Sequence, residues 1–531
     1  MTLQAPPPVP VRALIPENAP FDAEQRAWLN GFFAGLLSLD TSAKPAAAEK
    51  PSDGDDGAAP WRDPAMEIGE RMELAKGRPL KRRLMAAMAQ QDCGQCGYLC
   101  DTYARAIAEQ AEPRLNLCVP GGKATARMLK TLVEEMGGGV LDPGEKAAKD
   151  AAKPPKTDGA RPGRSREIPV PAAFLSRRRL NGDGSEKATH HIEFDLSASG
   201  LDYEAGDSLG VFPANDPALV DEVIAMIGAP AGFPIAGKTL RDTLIEDMSL
   251  APAPDALFTF ISYLTGGARR EKARALAKGQ DPDGDAGTLD VLAALAKFPG
   301  VRPDPEAFVE SLEPLLPRLY SISSSPKADP GRVSLTVDTV RYRTGERERR
   351  GVASNFLGER VDPGQPVKCY VQRAHGFAPP KDGATPIIMV GPGTGVAPFR
   401  AFLQERRATA ASGPAWLFFG HQRRATDFFY EDEFMDLQRA GALTRLSLAW
   451  SRDGAGKVYV QDKMREDGAE LFRWLERGAH FYVCGDAKRM AKDVETALAG
   501  IVASHGGKSP EAARAYVLSL KRGGRYQADV Y

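Results

Sequence analysis

Cysteine is scarce in this chain. Six cysteines in 531 residues are too few for a disulfide scaffold, so the expected compartment is the reducing cytoplasm. Long apolar runs are missing as well. No stretch of about 18 apolar residues occurs, which argues against a membrane-spanning helix. An excess of one charge is missing: the formal net charge is -1, so no overall field points to nucleic acid. The opening stretch, MTLQAPPPVPVRALIPENAP, lacks a basic region followed by an apolar core, so no secretory signal is expected. What is present is 43% hydrophobic and 26% charged residue content, ordinary for a globular chain, and a length suited to roughly two to four domains.

Two stretches rich in Ala, Pro, Gly and charge, within 41–63 and 141–167, read as flexible linkers, because they offer little that could offset the entropy of ordering. Before the first, residues 1–40 carry one amphipathic helix over 21–39, with Trp28, Leu29, Phe32, Phe33, Leu36 and Leu37 at helical spacing. It packs on its own protein or docks a partner. Between the linkers lies a compact segment, 64–140, near the lower size limit for a domain without a staple. After the second linker, 168–380 begins with alternating apolar and polar residues, the pattern of an antiparallel barrel. A helical insertion covers about 216–315 by the same pattern reading. From 381 to 531, apolar strands alternate with helical stretches, the rhythm of a doubly wound parallel sheet. The fold class expected is multi-domain, α+β and α/β.

"PRLYSISSSP" (317–326) and "RGVASNFLGERV" (350–361) have the residue types a flavin needs. Tyr320 can stack on a ring, and Arg318, on the same face of a strand, can reach a phosphate. "GVAS" at the start of a helix offers free backbone N–H groups to an anion. The plainer alternative is a buried strand with a surface Arg and an ordinary helix start. "IIMVGPGTGVAPFRAF" sets Gly391, Gly393 and Gly395 between a strand and a helix, where a backbone can approach a pyrophosphate. It is G-x-G-x-x-P and, taken alone, equally a tight turn. In "AWSRDGAGKVYVQ", Ser451, Arg452, Lys457, Tyr459 and Gln461 follow a strand. A hydroxyl, a guanidinium and an ammonium together suit a 2′-phosphate; a solvated loop would look the same.

Four of the six cysteines, Cys93, Cys96, Cys100 and Cys118, fall in one short stretch. C-x2-C-x3-C with a distant fourth Cys supplies four thiolates. Gly94 and Gly97 allow tight wrapping, and Pro120 follows the fourth closely. Three readings stay open: an iron–sulfur cluster, structural zinc, and buried thiols with no metal.

The order of the motifs from "YEAGDSLGV" through "RLYSISSSP", "TVDTVRY", "GVASNFL", "GPGTGVAPFRAFLQER" and "YVCGDAKRMAKDVETAL" to the terminal "RYQADVY" resembles the C-terminal half of the diflavin reductases. Within them it is most similar to the flavoprotein subunits of NADPH-dependent sulfite reductases, over about 168–531. The resemblance implies a ferredoxin-reductase-like FAD barrel with a helical insertion, and an NADPH-binding domain. It assigns Arg318, Leu319, Tyr320 and Ser321 to the FAD strand, and Thr336, Val337, Asp338 and Tyr342 to the adenine and ribose side. It assigns Gly351, Val352, Ala353 and Ser354 to the pyrophosphate turn and Tyr531 to the free flavin face. Gly393, Thr394, Ser451, Arg452, Lys457, Val458, Tyr459, Val460, Gln461 and Asp493 are NADP contacts on the same basis. Ser321, Cys484 and Asp529 are placed around the reacting atoms.

The cysteine stretch, with "CGQCG", "YARAIA" and "CVPGG", resembles the four-cysteine iron–sulfur domain of Rnf-type electron-transport subunits and corrinoid iron–sulfur proteins. Its second gap is three residues where that family has four. No flavodoxin-length unit precedes residue 168, so FMN is not expected, and a [4Fe–4S] cluster stands where electrons must be split into singles. The acceptor implied by the resemblance is the sirohaem subunit of assimilatory sulfite reductase, with no nucleic-acid or membrane partner. Alternatives are a reductase serving nitrate or nitrite assimilation or a ferredoxin. An alternative of another class is a zinc-stapled interaction module on a flavin domain that does not turn over.

Overall fold

The computed structural model describes residues 59–135 and 161–531, except residues 65, 95 and 375. The amphipathic stretch 21–39 lies outside the described residues. Residues 59–531 form one compact unit.

The first described part is helical. Helices α1 (Ile68–Leu74), α2 (Leu80–Ala87), α3 (Cys100–Ala108) and α4 (Gly122–Glu134) bury Leu84, Met85, Tyr103, Ile107, Leu129 and Leu132 in one small core. Tyr103 and Ile107 on α3 are four residues apart and Leu129 and Leu132 on α4 are three apart, so each of these two helices presents one apolar stripe inward. The cysteine loop connects α2 to α3.

An antiparallel barrel follows. Its strands are β1 (Val170–Arg179), β2 (Thr189–Asp195), β3 (Ser208–Val211), β4 (Arg318–Ser321), β5 (Arg332–Asp338) and, after the hairpin β6 (Arg341–Thr344) and β7 (Arg347–Arg350), β8 (Pro366–Gln372). They pair in the order β4-β3-β8-β1-β2-β5, and a bridge between Ile322 and Leu335 joins the two ends. Alternate residues such as Phe174, Phe194, Leu209, Val337, Cys369 and Val371 fill the interior, as a period of two requires. Between β3 and β4 the chain builds a helical insertion around Val223, Leu244, Leu257, Ile261, Leu295 and Phe308. Its helix Pro217–Ile227 opens on Asp216, whose side chain accepts from the Ala218 N–H, and closes on Gly228 in the left-handed region.

The last part is a five-stranded sheet, all of whose pairs are parallel. With β9 (Ile387–Val390), β10 (Ala415–His421), β11 (Arg445–Trp450), β12 (His480–Gly485) and β13 (Tyr526–Val530), the order is β11-β10-β9-β12-β13. Strand β9 is buried at every residue, because helices cover both faces of a parallel sheet. No helix among the described residues is long and apolar enough to cross a membrane.

Candidate functional site

The sheet order places the C-terminal ends of β9 and β12 together, the position where open parallel sheets receive ligands. The turn after β9 has Gly393 at φ +57 and leads through Gly393–Val396 into the helix Ala397–Ala408. A Cβ on Gly395 would sit 2.1 Å from the Cys484 carbonyl oxygen, so only glycine lets this turn lie against β12. Backbone N–H groups at the start of that helix are thereby offered to an anion.

Three side chains far apart in sequence meet at the boundary of barrel and sheet. Ser321, at the end of β4, donates its hydroxyl to Asp529 Oδ2 at 2.5 Å. The Cys484 thiol points at the same oxygen from 3.7 Å. Asp529 and Cys484 are register partners on β13 and β12. Burial raises the Asp529 carboxyl above its ordinary value, against the bonds from Ser321 and Cys484. Burial, and then the carboxylate, push the Cys484 thiol well up, so it stays a neutral thiol.

Tyr531 is held at both backbone ends. Its N–H donates to the Gly485 carbonyl at 3.1 Å, and its carbonyl accepts from Ala487 at 3.1 Å. Its hydroxyl is 2.8 Å from Thr394 Oγ1, while the side chain leaves the residue 55% exposed.

The flavin-strand residues lie along β4. Arg318 pairs with Val211, Leu319 with Gly210 and Tyr320 with Leu209. Tyr320 packs beside the barrel interior. The Arg318 guanidinium makes long contacts to the Leu316 and Pro317 carbonyls, 3.3 and 3.4 Å, and burial lowers its pKa. Among the described residues it has no carboxylate partner, so the donor set has room for a phosphate. Gly351, Val352, Ala353 and Ser354 form a short turn of helix, Val352–Asn355 after its Gly351 cap. The Ser354 hydroxyl there accepts from the Val340 N–H at 3.1 Å. A Cβ on Gly351 would meet that hydroxyl at 2.7 Å.

The adenine-side candidates stand on and after β5. Val337 is buried in the barrel, and Tyr342 is exposed. Thr336 shares its hydroxyl with the Tyr430 hydroxyl at 2.7 Å. Asp338 accepts from Thr189 at 3.2 Å and pairs with Lys187 at 3.3 Å. Tyr430 was not singled out from the sequence. It sits at φ 57, in the left-handed region. It also contacts His191 Nδ1 at 3.1 Å and lies under the Arg400 guanidinium at 4.8 Å, joining barrel to sheet. Nothing in its local sequence, FFYED, signals that role.

The nucleotide candidates collect after β11. The Ser451 hydroxyl donates to the His421 carbonyl at 3.3 Å, and Arg452 pairs with Glu186. Lys457 is exposed and has no carboxylate partner among the described residues. Val458 packs against the core beneath the sheet, and Val460 is buried there. Tyr459 opens the helix Val460–Glu466 and is exposed. Gln461 donates to Asp493 at 3.4 Å, bringing both together.

The four cysteines line one small cavity of about 10 Å³, with Tyr98 and Tyr103 among its walls. None is in a disulfide. Gly94 and Gly97 have φ of +68 and +88, so the loop wraps as only glycine permits. The Cys100 N–H donates to Asp92 at 2.8 Å, and a Cβ on Gly121 would lie 3.0 Å from the Cys118 sulfur. Burial pushes the Cys96 thiol up to about 11 and the Cys100 thiol up to about 12, and raises Cys118. Among the described residues no group of three or more His, Cys, Asp or Glu side chains is placed to hold a metal ion. A single zinc ion would draw all four to about 2.3 Å from its centre. Four thiols with glycine backbone nearby have the donor chemistry of a metal–thiolate site, zinc or iron–sulfur.

Comparison with known proteins adds family information. Residues 162–283 and 247–356 match the FAD binding domain model, and residues 389–496 match the oxidoreductase NAD-binding domain model. The chain is 41% identical over 371 residues to the sulfite reductase [NADPH] flavoprotein alpha-component of Photorhabdus laumondii. It is 43% identical over 377 residues to the protein of the same description from Escherichia coli O157:H7. Each match covers 69% of this chain and 61% of the relative.

Proposed function

We propose that this chain, homologous over 69% of its length to the flavoprotein components of NADPH sulfite reductases, is an NADPH-dependent FAD oxidoreductase. In this reading it delivers electrons through a [4Fe–4S] cluster to a separate acceptor, the sirohaem subunit of an assimilatory sulfite reductase. The observation that carries the reading is the meeting of Ser321, Cys484 and Asp529, one from the FAD barrel and two from the NAD-binding sheet. When bound, FAD accepts a hydride from NADPH, and a cluster carries electrons one at a time.

The chain's own residues bind, orient and shield. Arg318 and the Gly351–Ser354 turn hold the flavin pyrophosphate, and Tyr320 supports the ring. Gly393 and Thr394 hold the nicotinamide nucleotide's pyrophosphate, with Arg452 and Lys457 on its 2′-phosphate. Asp529, its carboxyl raised by burial, keeps a proton-rich hydrogen-bond link to Ser321 beside the reacting atoms. Cys484, a neutral thiol on a buried strand, packs against the nicotinamide. The Tyr531 ring covers the free flavin face and turns aside for the nucleotide. Cys93, Cys96, Cys100 and Cys118 ligate the cluster.

The homologous span is 61% of the relatives' length. Anaerobic purification followed by a visible spectrum and analysis for iron, acid-labile sulfide, zinc and FAD tests the cofactors. NADPH-driven reduction of a sirohaem subunit tests the acceptor. Stoichiometric zinc with no NADPH-driven dye reduction would overturn the reading in favour of an interaction module.

A further inference from the structure

Strand β8 alternates. Val367, Cys369 and Val371 belong to the barrel interior, so Tyr370 and Gln372 stand on the outer face. An outer-face tyrosine is ordinarily wet, yet Tyr370 is 1% exposed. Its ring lies flat across β3 at its register partner Gly210, where a Cβ would sit 2.1 Å from Tyr370 Cε1. The cysteine loop meets this face at Gln372, and the Phe212 ring packs against Tyr370. A Cβ on Gly94 would be 2.8 Å from Gln372 Nε2, and the titratable groups facing the Tyr370 hydroxyl are Arg166 and Glu167, then Cys93 and Cys96. That hydroxyl is buried with no hydrogen-bond partner among the described residues. A buried donor left unpaired is costly, and native proteins seldom leave one so.

We infer that the outer face of β8 is the seat of the four-thiol site's bound group, and that Tyr370 is a positioning residue whose hydroxyl donates to a sulfur of that group or of its Cys93 or Cys96 ligand. The inference rests on the reading that the four cysteines hold a [4Fe–4S] cluster. The seat lies beside the flavin strand. Gln372 pairs with Ser208, and Ser208 pairs with Ser321. With about 4.8 Å between neighbouring strands, Gln372 is about 10 Å from Ser321 along the sheet. Electrons leaving the flavin site therefore cross two strands to reach the cysteine loop, with no movement of the small helical part.

A hydrogen bond to cluster sulfur stabilises the more negative, reduced form and so raises the reduction potential. The test is an EPR-monitored redox titration of the full chain, loaded with FAD and cluster, as wild type and as Tyr370→Phe. The substitution removes one oxygen and keeps the ring, so iron, sulfide and FAD contents stay at wild-type values. The expected result is a cluster potential shifted to lower values in Tyr370→Phe. Pulsed EPR of the reduced protein in D2O gives a second readout: a deuteron coupled to the wild-type cluster that is lost in the variant. An intact cluster with unchanged potential, or the same deuteron couplings in both proteins, overturns the inference and leaves the cluster reading standing. A wild-type protein that carries zinc or no iron overturns both.

Discussion

The Ser321 hydroxyl donates to Asp529 across 2.5 Å, joining residues 208 positions apart in the chain. This bond ties the end of a barrel strand to the edge strand of the parallel sheet, at the place where flavin and nicotinamide must meet for transfer between them.

Loss of that link should slow the transfer step. Ser321→Ala or Asp529→Asn is expected to reduce the rate of FAD reduction by NADPH about 10- to 100-fold, the worth of one hydrogen bond to a charged group. Stopped-flow absorbance of the flavin reads it, with FAD content unchanged. A rate within twofold of wild type would remove both residues from the reacting centre.

The bond between Tyr531 and Thr394 separates two functions of the terminal residue. Tyr531→Ala removes the ring and is expected to raise the kcat/KM ratio of NADH to NADPH by about tenfold or more, because the ring no longer competes with the nicotinamide. Tyr531→Phe keeps the ring and loses only the bond to Thr394, so its nucleotide preference stays near wild type.

Arg452 is paired with Glu186 in the structure, an exposed pair of little worth on its own. A 2′-phosphate would take that guanidinium over. Arg452→Ala or Lys457→Ala should raise KM for NADPH about 10- to 100-fold and leave KM for NADH unchanged, since each charge-assisted bond is lost to one nucleotide alone. Glu186→Gln should lower KM for NADPH. Steady-state kinetics with both nucleotides check these outcomes.

His191 predicts a pH dependence of stability. Burial first, and then Arg400 and Arg178, lower its pKa from 6.5 to about 4, against the pull of Glu193. The unfolded chain therefore binds a proton that the folded chain refuses. Stability from this group is complete above pH 6.5 and is lost as pH falls toward 4, at up to about 1.4 kcal/mol per pH unit. Urea midpoints measured from pH 7 to pH 4.5 should fall, and His191→Gln, which cannot titrate, should flatten that fall.

Much of the fold was legible because its signals are local. Alternation marked the barrel strands, apolar runs marked the buried strands of the parallel sheet, and glycines marked the turn after β9. The motif order pointed to Ser321, Cys484 and Asp529 through resemblance, and the structure brings them together. Tyr430 was not legible. Its left-handed backbone and its links to Thr336, His191 and Arg400 depend on two domains meeting, and no short window of sequence encodes such a meeting. Tyr370 was hidden for the same reason: alternation places it on an outer face, and segments far from it in the chain, Phe212 among them, make it buried.

The sequence by itself determined the elements, the glycine turns and the clustering of four thiols, because backbone propensity and periodicity act over a few residues. The tertiary structure alone decided which strand is neighbour to which, and so which distant side chains share a hydrogen bond or lose their water. Register and domain packing are set by contacts between segments hundreds of residues apart, and the free energy of those contacts is written in no single stretch of the chain.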